Sequence, residues 1–205
     1  MEIEARILQA LNGPFATGDT AALHWLTDSA AWVAYGLPAC LLLFGWLRKH
    51  PDSTRRALVI LASAGIAALV VNVLKFTIDR PRPFDVLPFV TKLAGGGGGS
   101  FPSGHTSDAF AATLAITLLL RRWWVALPMF VWALAVGWSR MALGVHYPSD
   151  VIVGAVIGAL AALVTYYYCA PRWLMATGTK QFQGPSGTSM ADDGRDPYTD
   201  NRTRI

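Results

Sequence analysis

Five long apolar runs separated by short polar loops organise the chain, at about residues 29–47, 57–76, 106–120, 123–143 and 151–169. Most approach the roughly 20 residues a helix needs to cross ~30 Å of hydrocarbon. The third falls short unless it begins at His105 or earlier. The runs carry almost no internal charge, which argues against their being buried helices of a soluble all-α protein. Gly65, the pair Gly154 and Gly158, and many alanines provide small faces for close helix contact. The pattern therefore predicts an all-α integral membrane helical bundle of about five transmembrane helices, plus an N-terminal interfacial helix.

Outside the runs the chain divides into three parts. Residues 1–28 form an N-terminal extracytoplasmic segment in which Ile3, Ile7, Leu8 and Leu11 share one helical face. That face fits a helix on the membrane surface, with a soluble cap as the alternative. Residues 29–175 form the membrane domain. From 176 to 205 the chain is rich in Gly, Ser, Thr, Asp and Arg and is expected to be a disordered tail. Within the membrane domain, the loop 77–104 contains five consecutive glycines at 95–99. With no side chains to pack and a large ordering entropy, they are expected to be mobile. A plain linker and a flap beside a lipid entrance are the two readings of that run.

Composition and charge narrow the function. Apolar residues make up 53% and charged residues 15%, the latter below the quarter usual for soluble domains. Eight tryptophans fit belts at a membrane boundary. The net charge of +4 lies in short loops rather than on one helix face, which disfavours nucleic acid as a partner. Cys40 and Cys169 sit inside apolar runs without CxxC spacing and read as small hydrophobes. No cleavable signal peptide is expected, because the first residues are acidic and the apolar run starts late. Arg48, Lys49, Arg55 and Arg56, then Arg121 and Arg122, then Arg172 all fall on one side of a five-span topology. The positive-inside rule makes that side, and the C-terminus, cytoplasmic. The acidic N-terminal segment falls on the opposite side.

Three short strings carry the chemistry, and each lies at the end of an apolar run: Lys75-x6-Arg82-Pro83, Pro102-Ser103-Gly104-His105, and Ser139-Arg140-x5-His146-x3-Asp150. Arginine offers planar bidentate donors to phosphate, and lysine offers a point charge. Gly104 at a helix N-terminus lets backbone N–H groups approach an anion. Of two imidazoles, one can attack phosphorus while the other protonates the leaving oxygen. A carboxylate four residues from an imidazole can fix its tautomer if that turn is helical. His24 and His50 lack such a context and read as interface or loop residues. Asp79, Asp85 and Asp108 read as partners of nearby arginines or as caps.

Together the strings resemble the three signature motifs of the type 2 phosphatidic acid phosphatase superfamily, which also includes soluble vanadium haloperoxidases. They match at every defining position, in order, across residues 75–150. The resemblance implies a metal-independent phosphatase with no cofactor. It makes His146 the nucleophile, Asp150 its orienting partner, and His105 the general acid and later base. Lys75, Arg82 and Arg140 would bind phosphate, with help from Ser103 and the Gly104 amide. Arg80 also precedes a proline, but its distance from Lys75 is two short of the family spacing, so it ranks second to Arg82.

Small size and an outward-facing site resemble, within this family, the bacterial undecaprenyl-diphosphate phosphatases. The implied partners are a lipid phosphate or diphosphate substrate and a bacterial inner-membrane bilayer. Phosphatidylglycerophosphate, phosphatidic acid and lipid A are the alternative substrates, since the motifs bind only the shared phosphate. Too little soluble bulk surrounds the motifs for a haloperoxidase. A non-catalytic transporter or lipid-binding protein is the alternative of a different class.

Overall fold

The apolar runs fold as helices throughout a computed structural model that describes residues 2–168. Helices α1 (Glu2–Asn12), α2 (Ala21–Ala31), α3 (Leu37–Leu47), α4 (Pro51–Ile78), α5 (Pro83–Val86), α6 (Gly104–Leu120), α7 (Trp123–Ala142) and α8 (Pro148–Tyr168) follow in chain order. The proposed tail, 176–205, and Cys169 lie outside the described residues.

Among the described residues, four helical segments are long and apolar enough to cross a membrane: Ala21–Leu47, Pro51–Val86, Trp123–Ala142 and Pro148–Tyr168. The first starts earlier than its apolar run. A π-helical turn at Trp32–Gly36 joins α2 to α3, so the polar residues His24, Thr27, Asp28 and Ser29 belong to the same rod. Two of them have inward partners. Thr27 receives a hydrogen bond from Arg140, and Ser29 receives one from the Trp132 indole. The hydropathy count stopped where the helix did not.

α6 has only 17 residues, roughly 25 Å of helix, and is not among those four segments. It does begin at Gly104, the earlier start its length required. It also lies at the centre of the bundle, packed against α2, α4, α7 and α8. Alanines 109, 111, 112 and 115 of this helix are fully buried. The closest crossing is with α8. A Cβ placed on Gly154 would lie 2.5 Å from the Ser103 carbonyl oxygen, and one on Gly158 would overlap the Ser107 carbonyl. The two glycines thus let α8 approach the first turns of α6, which brings the second and third motifs together.

The N-terminal helix docks on the bundle. Leu8 and Asn12 are fully buried. The Asn12 amide donates to the carbonyls of Thr91 (3.0 Å) and Ala142 (2.9 Å), and its oxygen accepts from the Thr91 N–H. This clamp ties α1, the long loop and the end of α7 into one assembly.

Candidate active site

All three motifs lie at one end of the bundle. Lys75 is in the last turn of α4, which closes on Asp79 in the left-handed region (φ 38°). The chain then reverses, and Arg82 adopts an extended conformation just before α5. Ser103 occupies the N-cap position of α6 without a side-chain capping bond, and its N–H donates to the Asp150 carbonyl at 3.0 Å. Arg140 lies in the last turn of α7. Gly144 then turns the chain at φ 74°, where a Cβ would strike Thr91 and Asn12. That turn delivers His146 to the interior, 2% exposed.

The three motif cations share one property: among the described residues, none of Lys75, Arg82 and Arg140 makes an ion pair. Arg82 and Arg140 are nevertheless buried. Arg82 donates to the carbonyls of Val145 (3.2 Å), Gly97 (3.1 Å) and Gly98 (3.1 Å). Lys75 donates to Gly99 at 3.1 Å. Arg140 donates to Thr27 Oγ1 at 2.9 Å, and its Nε has no hydrogen-bond partner among the described residues. With only neutral groups in direct contact and Asp28, Asp85 and Asp150 acting on them from beyond ion-pair distance, these cations keep charge available for an anion. His105 stands within electrostatic reach of all three and of His146.

The glycine run is therefore not a bare linker. Its carbonyls hold the two cations of the first motif, and a Cβ on Gly96 would fall 2.6 Å from the Arg82 guanidinium carbon. The loop also lines, with Asn72, Lys75, Phe76 and Asp79, a cavity of about 390 Å³.

Asp150 sits 3.6 Å from His146 Nδ1, beyond hydrogen-bond reach, and that nitrogen has no hydrogen-bond partner among the described residues. Its carboxylate instead accepts from the Tyr147 N–H at 2.9 Å and from Arg80 Nη1 at 2.7 Å. At this separation the carboxylate faces the ring as a nearby charge and not as a hydrogen-bond partner. Burial, opposed by Asp150 and reinforced by Arg140 and Arg82, lowers the His146 pKa to about 4. The ring is therefore neutral at physiological pH, as a nitrogen nucleophile requires.

Ser103 Oγ shares a 2.8 Å hydrogen bond with Thr106 Oγ1. Packing does not force a glycine at 104, because a Cβ there would meet nothing nearer than Val71 at 3.8 Å. Asp108 accepts from the Tyr35 hydroxyl at 2.9 Å rather than from an arginine.

Two groups at this end of the bundle escaped the motif reading. Arg80, ranked below Arg82 by spacing, is the cation bonded to Asp150, and its guanidinium lies 3.9 Å from the Tyr147 ring centroid. Glu4 bonds Arg80 and Ser149 from the far end of the sequence. Only the arginine's place beside a proline hinted at the first, and no local pattern marked the second.

The family model of the PAP2 superfamily matches residues 56–174. The chain is 33% identical to undecaprenyl-diphosphatase BcrC of Bacillus subtilis over 66% of its own length and 68% of that protein's. It is 32% identical to a lipid A 4'-phosphatase of Bacteroides thetaiotaomicron, over 42% of this chain but only 38% of that protein's length. With phosphatidylglycerophosphatase B of Escherichia coli it shares 30% identity, over 69% of this chain and 76% of the other. Among solved structures, LpxE of Aquifex aeolicus superposes with a TM-score of 0.63 at 24% identity, covering 80% of this chain and 94% of that one.

Proposed function

The chain belongs to the PAP2 superfamily, and on that premise we propose that it is a multi-pass membrane lipid phosphatase working through a phosphohistidine. The observation that carries this reading is the set of three motif cations that make no ion pair among the described residues, beside two imidazoles. A terminal phosphate brings the charge they lack.

In the proposed reaction the phosphate is held by Lys75, Arg82 and Arg140, with Ser103 and the Gly104 amide at the start of α6. Nε2 of His146 attacks phosphorus as the bond to the leaving oxygen breaks. His105 donates its proton to that oxygen, and the lipid departs. The phosphoryl group, now on His146, is attacked by a water that gives its proton to His105, which releases inorganic phosphate and restores both rings. Charge spreads over the equatorial oxygens in each transfer, so the fixed cations supply most of the stabilisation. Asp150 stabilises the imidazolium character of His146 across 3.6 Å.

Undecaprenyl diphosphate is the proposed substrate. It is supported by the similarity to BcrC over two thirds of both chains. The positive-inside argument supports a site on the extracytoplasmic face of the inner membrane, with the C-terminus cytoplasmic. Phosphatidylglycerophosphate and lipid A stand as alternatives, because similarity to phosphatases named for them is of the same order.

The test is phosphate release by detergent-purified protein from undecaprenyl diphosphate, phosphatidylglycerophosphate, phosphatidic acid and lipid A, with His146→Ala as control. Preferential release from the polyprenyl diphosphate, lost in the variant, is the expected result. Preference for a glycerophospholipid would replace the substrate and keep the mechanism. No release from any lipid would favour a transporter or lipid-binding protein.

A further inference from the structure

We propose that Glu4, on the N-terminal helix, is a positioning residue of the active site, acting through Arg80 and Asp150. The proposal rests on the phosphohistidine reading above.

The path is continuous. Glu4 Oε2 accepts from Arg80 Nη2 at 3.2 Å. Arg80 Nη1 donates to Asp150 Oδ1 at 2.7 Å and to Ser149 Oγ at 2.8 Å. The other oxygen, Glu4 Oε1, accepts from the Ser149 N–H at 3.1 Å and from its hydroxyl at 2.6 Å. One carboxylate thus grips both the arginine and the first turn of α8. Asp150 and Ser149 both lie in that turn, which follows directly on His146.

Arg80 is not simply a partner for Asp150. Pro81 restricts its backbone, and the Tyr147 ring covers one face of its guanidinium at 3.9 Å. Its two amino groups are divided between two carboxylates on different elements. Removing Glu4 leaves Nη2 without its acidic partner and frees the guanidinium to rotate off Asp150. Burial alone would raise the Glu4 pKa, but the Ser149 hydrogen bonds and the Arg80 charge outweigh it and hold the carboxyl below its usual range. Glu4 is therefore ionised at physiological pH.

The remainder of α1 serves the same end. Leu8 is buried against Val90 and Tyr147, and Asn12 is clamped to Thr91 and Ala142. These contacts fix the helix so that Glu4 meets Arg80. The carboxylate is 145 residues from Ser149 in sequence, so this contact forms only when the N-terminal helix docks on the start of α8.

The experiment uses the full chain in detergent, on the lipid phosphate that the wild type hydrolyses best. Glu4→Gln isolates the arginine contact, since its amide oxygen still accepts from Ser149 while its NH2 cannot accept from Arg80. Because small misplacements of reacting groups cost up to about 100-fold, Glu4→Gln and Glu4→Ala should lower kcat by roughly tenfold with little change in KM. Glu4→Asp should recover part of the loss. Glu4→Ala combined with Arg80→Ala should be no slower than Arg80→Ala alone. Glu2→Ala, which removes only an exposed pair with Arg6, should match the wild type. Thermal midpoints of each variant separate lost folding from lost turnover.

Wild-type kcat in Glu4→Gln and Glu4→Ala would overturn the proposal, as would fully additive losses in the double variant. A lower thermal midpoint with unchanged turnover per folded molecule would reduce Glu4 to a structural contact and would also overturn it. His146→Ala, run alongside, keeps the two readings apart. If it abolishes wild-type release while the Glu4 variants behave as wild type, only the positioning role falls. If the wild type releases no phosphate, both fall.

Discussion

Asp150 lies 3.6 Å from His146 Nδ1, yet its hydrogen bonds go to Arg80 and to the Tyr147 backbone. The carboxylate is anchored on two sides by groups that are not the nucleophile, and it meets the imidazole as a fixed charge. The Arg80 guanidinium and the Tyr147 N–H fix the position of the carboxylate.

Asp150→Asn should therefore keep the fold and lose turnover. Asparagine retains one acceptor, but its NH2 must face either the Arg80 guanidinium or the Tyr147 N–H, both of which are donors. The fixed negative charge that would stabilise the His146 imidazolium disappears. We expect kcat to fall by at least about 100-fold, by analogy with loss of the carboxylate in other imidazole-based sites, with a smaller change in KM. Kinetics on the hydrolysed lipid, with circular dichroism to verify folding, check this. A kcat within a few-fold of wild type would exclude Asp150 from the chemistry.

The His146 ring should resist protonation. Burial first, then the Arg140 and Arg82 charges, pull its pKa to about 4 against the opposing pull of Asp150. Titration of 15N-histidine-labelled protein, with the resonance assigned by its loss in His146→Gln, should show a neutral ring well below pH 6. The sign carries over to stability. The unfolded chain takes up this proton near its ordinary value of about 6.5 while the folded ring refuses it, so stability falls as pH drops below that value. Bound phosphate should reverse the shift by stabilising the imidazolium. A midpoint at or above 6.5 in the free protein would refute the desolvated setting.

Much of this architecture was legible in the sequence, because hydrophobic length and motif order are local properties. The second, fourth and fifth apolar runs fold as candidate spans close to where hydropathy placed them. The first was cut short because Thr27 and Asp28 are polar, although α2 and α3 form one rod with inward partners for Thr27 and Ser29. The sequence predicts a mobile glycine run because glycine has no side chain to pack. The structure packs it by its carbonyls, against Arg82 and Lys75, a contact that no side-chain pattern encodes. Glu4 was beyond sequence reasoning for a related reason, since its partner Ser149 is 145 residues away and nothing around Glu4 marks it. Local signals identified the motif residues, and only the fold revealed what holds Arg80 and Asp150 in place.

Activity should be insensitive to EDTA. Three cationic side chains supply the charge that a metal would otherwise provide, and the nucleophile is a nitrogen rather than a metal-activated water. Vanadate should inhibit competitively, by taking a five-coordinate geometry on the same cations. Phosphate release measured with EDTA, and with vanadate up to millimolar concentration, checks both. Strict dependence on Mg2+ would overturn the mechanism, and indifference to vanadate would count against the phosphate-binding set.

Gly96→Ala tests the carbonyl cradle. The new methyl would lie 2.6 Å from both the Cζ and Nη1 atoms of Arg82, closer than atoms can approach. The obstacle is the end of a long side chain, so the arginine must move while the backbone can stay. Displaced from the Gly97 and Gly98 carbonyls, Arg82 would no longer be preorganised where phosphate binds. Losing one well-placed charged hydrogen bond weakens binding by about 1.5–3 kcal/mol, so KM should rise on the order of tenfold or more. The thermal midpoint should change little. Gly95→Ala is the control, because its added methyl meets nothing within 4 Å, and it should bind as the wild type does. If Gly96→Ala left KM unchanged, the glycine run would be a spacer that happens to lie near Arg82, and phosphate binding would not depend on its carbonyls.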